Sequence, residues 1–316
     1  MRVTGPLLLL DSAAMYFRAF FALPEKMTAP DGTPINAVRG FVDTISRLVA
    51  RWEPSRVVAC WDEDWRPEFR VAAIPSYKAH RVAADGGEEV PASLAAQVPI
   101  IVDVLAALGI PRAGAAGYEA DDVIGTLATR EVARPREQRA SQVLVVTGDR
   151  DLFQLVDDDA GIGVLYPVRG EKEMPLIDQA WLREKYGVTS GGTYADMAIL
   201  RGDPSDGLPG VAGIGEKTAA ALLASHGDLA GILDAASHVG GGLTATQRKR
   251  LAEADEYLAA APGVVQVARD VPLPQFTATL ADVPADGDAV LQLAERWGLE
   301  SPLRRLVDAC AAVSRD

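Results

Sequence analysis

Short, unbroken apolar runs alternate with helix-like apolar spacing along the first half of the chain. The runs at residues 7–10, 57–61 and 143–147 are typical of strands that are buried on both faces of a parallel sheet. Between them, apolar side chains recur every three or four residues, which predicts amphipathic helices. They are Val38, Phe41, Val42, Ile45, Leu48 and Val49, and then Val98, Ile101, Val102, Leu105 and Leu108. The βαβα order predicts an α/β fold with a mostly parallel central sheet flanked by helices.

Each apolar run leads into aspartate. Asp11 ends the first run, Asp62 follows the second, and Asp149 and Asp151 follow the third. Ligands of open α/β sheets bind outside the carboxyl ends of the strands. We therefore expect these carboxylates at one edge of the sheet.

Two further segments add acidic side chains. Glu119, Asp121 and Asp122 open a predicted helix, where they could be either helix caps or ligands. Asp203 and Asp206 lie in a loop rich in Gly and Pro. Carboxylates that share a cleft repel one another unless cations are present, and oxygen-only ligation suits Mg²⁺ or Mn²⁺.

The glycine-rich segment at residues 210–218 is similar to a phosphate loop but departs from that pattern. Glu216 separates Gly215 from Lys217, whereas a phosphate loop has Lys directly after the second Gly. We interpret the segment as a hairpin between short helices. There Gly213 and Gly215 would let backbone N–H groups approach a nucleic-acid phosphate without reading bases.

A basic stretch covers residues 66–81, which hold four Lys or Arg and one Glu. We interpret it as a basic amphipathic helix that overhangs the carboxylates and guides phosphates; the alternative is a solvated face. Phe69 and Tyr77 could either stack on bases or pack this segment.

Composition narrows the remaining choices. The composition, 48% hydrophobic and 24% charged, is typical of a globular protein. The length of 316 residues fits either about two domains or one compact α/β domain with insertions. The net charge of −13 argues against a nucleic-acid partner unless the distribution of charge decides otherwise. The two cysteines and three histidines are scattered, so neither a zinc site nor a disulfide framework is expected. No apolar run is long enough for a membrane helix, and we expect a cytoplasmic protein.

Taken in order, these motifs resemble the 5′-nucleases of the flap-endonuclease class, in particular the 5′-exonuclease domain of bacterial DNA polymerase I. The resemblance covers nearly the whole chain. The matching stretches are Leu10-Asp11-Ser12, Trp61-Asp62, Phe69-Arg70, Tyr77-Lys78-x-x-Arg81, Gly117-Tyr118-Glu119-Ala120-Asp121-Asp122, Thr147-Gly148-Asp149-Arg150-Asp151, Gly202-Asp203-Pro204-Ser205-Asp206 and Gly213-Ile214-Gly215-Glu216-Lys217-Thr218-Ala219. Gly207 stands where the family commonly has Asn, and Arg150 where it commonly has Lys.

The resemblance implies a metal-dependent 5′-3′ exonuclease or 5′ flap endonuclease that acts by a two-metal mechanism in replication and repair. It assigns Lys78 and Arg81 to a basic clamp and Arg70 to the scissile phosphate. The DNA-binding set would be Tyr77, Gly213, Gly215, Lys217 and Thr218. It places Asp11, Asp62, Glu119 and Asp121 on one Mg²⁺ or Mn²⁺, Asp149, Asp151, Asp203 and Asp206 on another, and Asp122 between them.

The resemblance also sets expectations for organisation and partners. We expect a nuclease core over 1–180 with a clamp at 63–92, a helix-hairpin-helix region over 181–270, and C-terminal helices over 271–316 that pack back on the core. A monovalent cation would suit the hairpin. The partner would be DNA with a 5′ end, nick or flap, and the protein a stand-alone monomer. The rival functions are an RNA-cleaving nuclease with a related acidic core and a structure-specific DNA-binding protein that has lost catalysis.

Overall fold

A computed structural model describes residues 5–84, 86–168, 174–238 and 240–313. The chain forms two compact units, each assembled from separate stretches of sequence. The first comprises Met1–Glu63, Glu89–Gly148 and Arg269–Asp316, and the second Asp64–Glu88 and Asp149–Ala268.

The first unit is built around four parallel strands. They are β1 Leu7–Asp11, β2 Arg56–Cys60, β3 Arg112–Ala113 and β4 Val143–Val146. Their order in the sheet is β3-β2-β1-β4. Leu7 lies opposite both Arg56 and Val143, so β1 pairs with a neighbour on each side. The side chains of β1 are buried throughout, as the unbroken apolar run predicts.

The helices of the first unit include both helices that the apolar spacing predicts. Phe41 and Ile45 lie on the buried face of one of them and are each 1% exposed. The bounds are α1 Ser12–Ala22, α2 Asn36–Trp52, α4 Ala92–Ala95, α5 Val98–Leu108, α6 Ala120–Val132, α14 Gly287–Trp297 and α15 Glu300–Val313.

The second unit is mainly helical and contains one antiparallel strand pair, with Val164 opposite Ile177. Its strands are β5 Ile162–Leu165 and β6 Leu176–Ile177. Its helices are α3 Glu68–Ala73, α7 Gln179–Tyr186, α8 Gly191–Arg201, α9 Glu216–His226, α10 Leu229–Ser237, α11 Ala245–Glu253, α12 Asp255–Ala260 and α13 Pro262–Val265. The predicted fold class, a mostly parallel sheet flanked by helices, is confirmed.

An aromatic cluster forms part of the core of the second unit. Phe153 is fully buried and makes edge-to-face contacts with Tyr166, Trp181 and Tyr194. Such pairs add about 0.5–1.5 kcal/mol each beyond the area that they bury. Phe153 belongs to the 3₁₀ turn Arg150–Leu155, so the cluster fixes the turn that carries Asp151.

The basic stretch at residues 66–81 differs from the single amphipathic helix that we predicted. It contains the short helix α3, a turn at residues 75–78, and one 3₁₀ turn at Ala79–Arg81. Pro75 explains the break, because a proline disfavours helical backbone in the residue before it. Ile74 is accordingly extended.

None of the helices in the described residues is both long enough and apolar enough to cross a membrane.

Candidate active site

Asp11 is the last residue of β1 and also the N-cap of α1. Its Oδ1 accepts a hydrogen bond from the Ala14 N–H at 3.1 Å, and its Oδ2 accepts one from the Thr147 hydroxyl at 2.6 Å. The side chain is 4% exposed. Two donors from different elements therefore orient the Asp11 carboxylate at the carboxyl end of the sheet.

Asp62, Glu119 and Asp122 meet at the start of α6. Asp62 Oδ1 accepts a hydrogen bond from the Ala120 N–H at 2.8 Å, which ties the end of β2 to the first turn of this helix. Glu119 and Asp122 form a reciprocal capping box, so the capping role considered from the sequence is realised. A carboxylate has about four acceptor positions, and capping therefore leaves a ligand role open.

Several of these carboxylates lie close enough to the Cys60 thiol to affect its pKa. Burial raises the pKa of its thiol well above the usual range, and the negative charges of Asp11, Asp121 and Asp62 raise it further. The structure thus brings acidic side chains from β1, the end of β2 and α6 around one thiol. We call Asp11, Asp62, Glu119, Asp121 and Asp122 the first carboxylate group.

The second carboxylate group consists of Asp149, Asp151, Asp203 and Asp206, and lies in the second unit. Asp149 caps the turn Arg150–Leu155 by accepting a hydrogen bond from the Asp151 N–H at 2.9 Å. Asp203 caps the 3₁₀ turn Pro204–Asp206 and accepts hydrogen bonds from the backbone and hydroxyl of Ser205.

Asp151 is the electrostatically unfavourable member of the second group. Burial raises the pKa of its carboxyl well above the usual value, and the charges of Asp149, Asp206 and Asp203 raise it further. Its Oδ1 is buried and has no hydrogen-bond partner in the described part of the chain. A buried carboxylate oxygen without a donor is costly, and a bound cation would remove that cost.

Asp203 is shifted in the opposite direction. Burial alone would raise the pKa of its carboxyl, but hydrogen bonds from Ser205 and from the Arg150 guanidinium lower it overall. The Arg150 Nη2 lies 3.3 Å from Asp203 Oδ2. As the pH rises, the Asp203 carboxyl therefore loses its proton before the Asp151 carboxyl does.

The donor chemistry of both groups fits a hard divalent cation such as Mg²⁺ or Mn²⁺. No set of three or more Asp, Glu, His or Cys side chains among the described residues is arranged so that it could by itself hold a metal ion. Mg²⁺ does not need such a cage, because it usually keeps several waters and binds through one or two carboxylates plus substrate phosphates. The unpartnered Asp151 Oδ1 fits such a ligand.

The three basic residues singled out from the sequence have different surroundings within the second unit. Arg81 forms a 2.7 Å ion pair with Asp206. The Lys78 ammonium lies 5.2 Å from the centre of the Tyr77 ring. Arg70 is 2% exposed, donates to the Val264 carbonyl oxygen at 3.0 Å and lies over the Phe69 ring.

Phe69 and Tyr77 differ in exposure. Tyr77 is 4% exposed, whereas Phe69 is 43% exposed. In the structure Tyr77 therefore packs the segment, and Phe69 presents the aromatic surface that a base could reach.

The hairpin at residues 210–215 joins α8 to α9, as the sequence predicts. Ile214 is buried and anchors it, whereas Gly213 and Gly215 are exposed. Gly213 is left-handed with φ +71°, and Gly215 is the extended N-cap of α9. Lys217 and Thr218 lie in the first turn of that helix. Exposed N–H groups at a helix start are suited to binding a phosphate.

Two family models together match nearly the whole chain. A family model described as the 5′-3′ exonuclease N-terminal resolvase-like domain matches residues 6–187, and one described as the 5′-3′ exonuclease C-terminal SAM fold matches residues 190–287. The chain belongs to the 5′-3′ exonuclease family.

Sequence relatives of this family member include stand-alone and polymerase-linked proteins. A 5′-3′ exonuclease of Streptomyces coelicolor is 58% identical over 96% of this chain and 100% of its own length. One of Mycobacterium tuberculosis is 49% identical over 96% of this chain and 98% of its own length. DNA polymerase I of Mycobacterium leprae is 39% identical over 97% of this chain, which corresponds to 32% of the polymerase.

Solved structures show the same fold at low sequence identity. The bacteriophage T5 D15 protein co-crystallised with metal ions gives a TM-score of 0.64 at 16% identity and covers 98% of this chain and 99% of its own. The catalytic core of Rad2 in complex with DNA substrate gives 0.58 at 15% identity and covers 98% and 93%.

Sequence reasoning missed two residues that the structure places against the candidate site. Thr147 donates to Asp11, and Ser205 donates to Asp203. Gly207, already noted from the sequence as a departure from the common Asn, lies against residues 76–78. Thr147 and Ser205 each lie inside a motif that was read only for its carboxylates. Their hydroxyls next to those carboxylates were the available signal.

Proposed function

We propose that this 5′-3′ exonuclease family member hydrolyses DNA phosphodiester bonds at 5′ ends and 5′ flaps with divalent cations, Mg²⁺ or Mn²⁺, held by its two carboxylate groups. The observation that carries the metal dependence is Asp151. Its Oδ1 is buried and has no hydrogen-bond donor among the residues that the structure describes, and Asp149, Asp203 and Asp206 add negative charge around it. Without a cation, this arrangement favours a protonated carboxyl.

In this proposal each carboxylate group contributes ligands. Asp11, Asp62, Glu119 and Asp121 would hold one cation and Asp149, Asp151, Asp203 and Asp206 another, with Asp122 serving between them. Two divalent cations supply a nucleophilic water and stabilise the leaving oxygen of a phosphodiester. Thr147 orients Asp11, and Ser205 with Arg150 keeps Asp203 ionised.

The basic residues would act on the DNA strand. Lys78 and Arg81 would contact phosphates close to the reacting bond, and Arg70 would do so if its guanidinium leaves the Val264 carbonyl. The hairpin with Gly213, Gly215, Lys217 and Thr218 would hold the duplex through its backbone phosphates, with no reading of bases. A monovalent cation at that hairpin stays a prediction.

The test is cleavage of 5′-flapped, nicked and blunt DNA with Mg²⁺, with Mn²⁺ and with a chelator. We expect cleavage with either cation, loss of cleavage with chelator, and products whose lengths distinguish exonuclease from flap-endonuclease activity. Tight binding to the flap without cleavage under any metal condition would favour the non-catalytic DNA-binding protein. Faster cleavage of an RNA strand than of DNA would favour the RNA-cleaving alternative. In the organism, the family relationship to DNA polymerase I favours a role in replication and repair.

A further inference from the structure

Residues 76–81 of the basic stretch are hydrogen-bonded to the loop that carries Asp203 and Asp206, and both segments belong to the second unit. The Lys78 N–H donates to the Asp206 carbonyl oxygen at 2.9 Å. The Ser76 hydroxyl donates to the Gly207 carbonyl oxygen at 2.7 Å. Arg81 donates to the Ser205 carbonyl oxygen at 2.8 Å and pairs with Asp206. The loop therefore fixes the backbone on both sides of Lys78.

This contact depends on the absence of a side chain at position 207. Gly207 is left-handed, with φ +71°. A Cβ added there would lie 3.0 Å from the carbonyl carbon of Ser76, still closer to its oxygen, and 3.6 Å from the Lys78 nitrogen. Real Cβ atoms do not approach backbone atoms so closely, and the neighbour is rigid backbone. Any other residue at position 207 would force residues 76–78 and this loop apart.

Lys78 itself has an unusual backbone. Its φ is +47°, which makes it one of two non-glycine residues with positive φ in the described chain. A left-handed conformation at such a residue is strained and persists only when its surroundings enforce it. The hydrogen bond from the Lys78 N–H to Asp206 is one such constraint.

We propose that Gly207 is a positioning residue, which lets residues 76–78 rest on the second carboxylate loop and thereby holds Lys78 at a fixed place beside it. The expected effect on cleavage rests on the proposed function, whereas the positioning of Lys78 does not.

The first test is amide hydrogen exchange across residues 75–82 in protein free of metal and DNA. Exchange of the Lys78 amide should be at least about tenfold faster in Gly207→Ala, because the hydrogen bond to Asp206 opens. Gly161→Ala is the matched control: Gly161 has φ +73° in the same unit, with open space around its Cβ position. Gly161→Ala introduces the same backbone strain without a clash, and it should leave hydrogen exchange of the Lys78 amide unchanged.

A second variant covers the case in which Gly207→Ala does not fold. Ser76→Ala introduces no backbone strain and removes only the hydrogen bond to the Gly207 carbonyl oxygen. It should also speed exchange of the Lys78 amide, by about threefold. Unchanged Lys78 exchange in the folded variants would overturn the proposal.

The second test is a double-mutant cycle in single-turnover cleavage of a 5′-flap substrate. Gly207→Ala should slow cleavage about 10- to 100-fold relative to the wild type. In a protein that already carries Lys78→Ala, adding Gly207→Ala should slow cleavage by less than about threefold further. If the rate reductions of the two single variants instead multiplied in the double variant, Gly207 would not act through Lys78 and the positioning role would be overturned. A wild-type rate for Lys78→Ala would instead contradict the catalytic role of Lys78 in the proposed function, while the exchange result decides independently whether Gly207 holds Lys78.

Discussion

The hydroxyl of Thr147, one residue beyond β4, donates a 2.6 Å hydrogen bond to Oδ2 of Asp11, the last residue of β1. The two residues end neighbouring parallel strands, and both are buried. The hydrogen bond therefore fixes the orientation of a carboxylate that we propose as a metal ligand.

Removing this hydroxyl should weaken metal binding more than it weakens the fold. We expect Thr147→Val to lower the affinity of the metal-free protein for Mn²⁺ about 10- to 100-fold, the usual cost of losing a partner that orients a ligand. Thr147→Ser should retain most of the affinity, because it keeps the donor. Titration calorimetry with Mn²⁺ and thermal unfolding measure the two effects separately.

Thr126→Val is the control for this prediction. Thr126 is fully buried in the same unit, and its hydroxyl accepts a hydrogen bond from the Val271 N–H. It should lower the unfolding temperature while Mn²⁺ affinity stays unchanged. Equal affinities for Thr147→Val and the wild type would refute the orienting role.

The sequence predicted the parts of the fold that depend on short-range patterning. The apolar runs became β1, β2 and β4, and the spaced apolar residues became α2 and α5. The prediction of a helix over residues 66–81 is wrong, because Pro75 disfavours helical backbone at Ile74, where the helix Glu68–Ala73 ends. The contact of Gly207 with Ser76 joins residues 131 positions apart, and no local pattern encodes such a distance.

The sequence predicted which residues make up the candidate site more completely than it predicted the burial and hydrogen bonding of those residues. All nine carboxylates were named from their positions after strands, at a helix start and in one loop. The opposite pKa shifts of Asp151 and Asp203 were not predicted, because these shifts depend on burial and on hydrogen-bond donors such as Ser205 and Arg150. Ser205 donates to Asp203 within the folded turn Pro204–Asp206, and Arg150 reaches Asp203 from the turn Arg150–Leu155.

Metal binding should release a proton from Asp151. Burial and the neighbouring charges of Asp149, Asp206 and Asp203 raise the pKa of this carboxyl in the metal-free protein. Below that raised value the carboxyl holds a proton, which a cation must displace, so Mn²⁺ affinity should fall as the pH falls through it. Titration calorimetry in buffers of different ionisation enthalpy counts the protons released.

The comparison for this proton count is Asp151→Asn, which cannot release the proton. It should bind Mn²⁺ more weakly, release fewer protons and show a flatter pH dependence than the wild type. Identical proton release by the two proteins would assign the released proton to another group.

The glycine hairpin should hold duplex DNA without regard to sequence. Gly215 has an ordinary extended backbone, and a Cβ there meets open space, so Gly215→Val should fold normally. Its side chain would stand in front of the start of α9 and weaken duplex binding about equally for all sequences. Binding isotherms on several duplexes of unrelated sequence measure the loss.

Gly287→Val is the matched control for the hairpin. Gly287 also has open space at its Cβ position, and it begins α14 in the first unit. Its replacement should leave duplex affinity unchanged. Sequence-selective losses in Gly215→Val, or none at all, would show that the hairpin has no general role in phosphate binding.

The most direct test of the metal-dependent mechanism is single-turnover cleavage of a 5′-flap substrate by Asp149→Asn in Mg²⁺, beside its duplex affinity. Asp234→Asn serves as the control, since Asp234 is exposed on α10 in the same unit. Asp149→Asn should cleave at least about 1000-fold more slowly, as the loss of a ligand to a catalytic cation implies, with duplex affinity largely intact. Cleavage by Asp149→Asn near the wild-type rate would contradict the account.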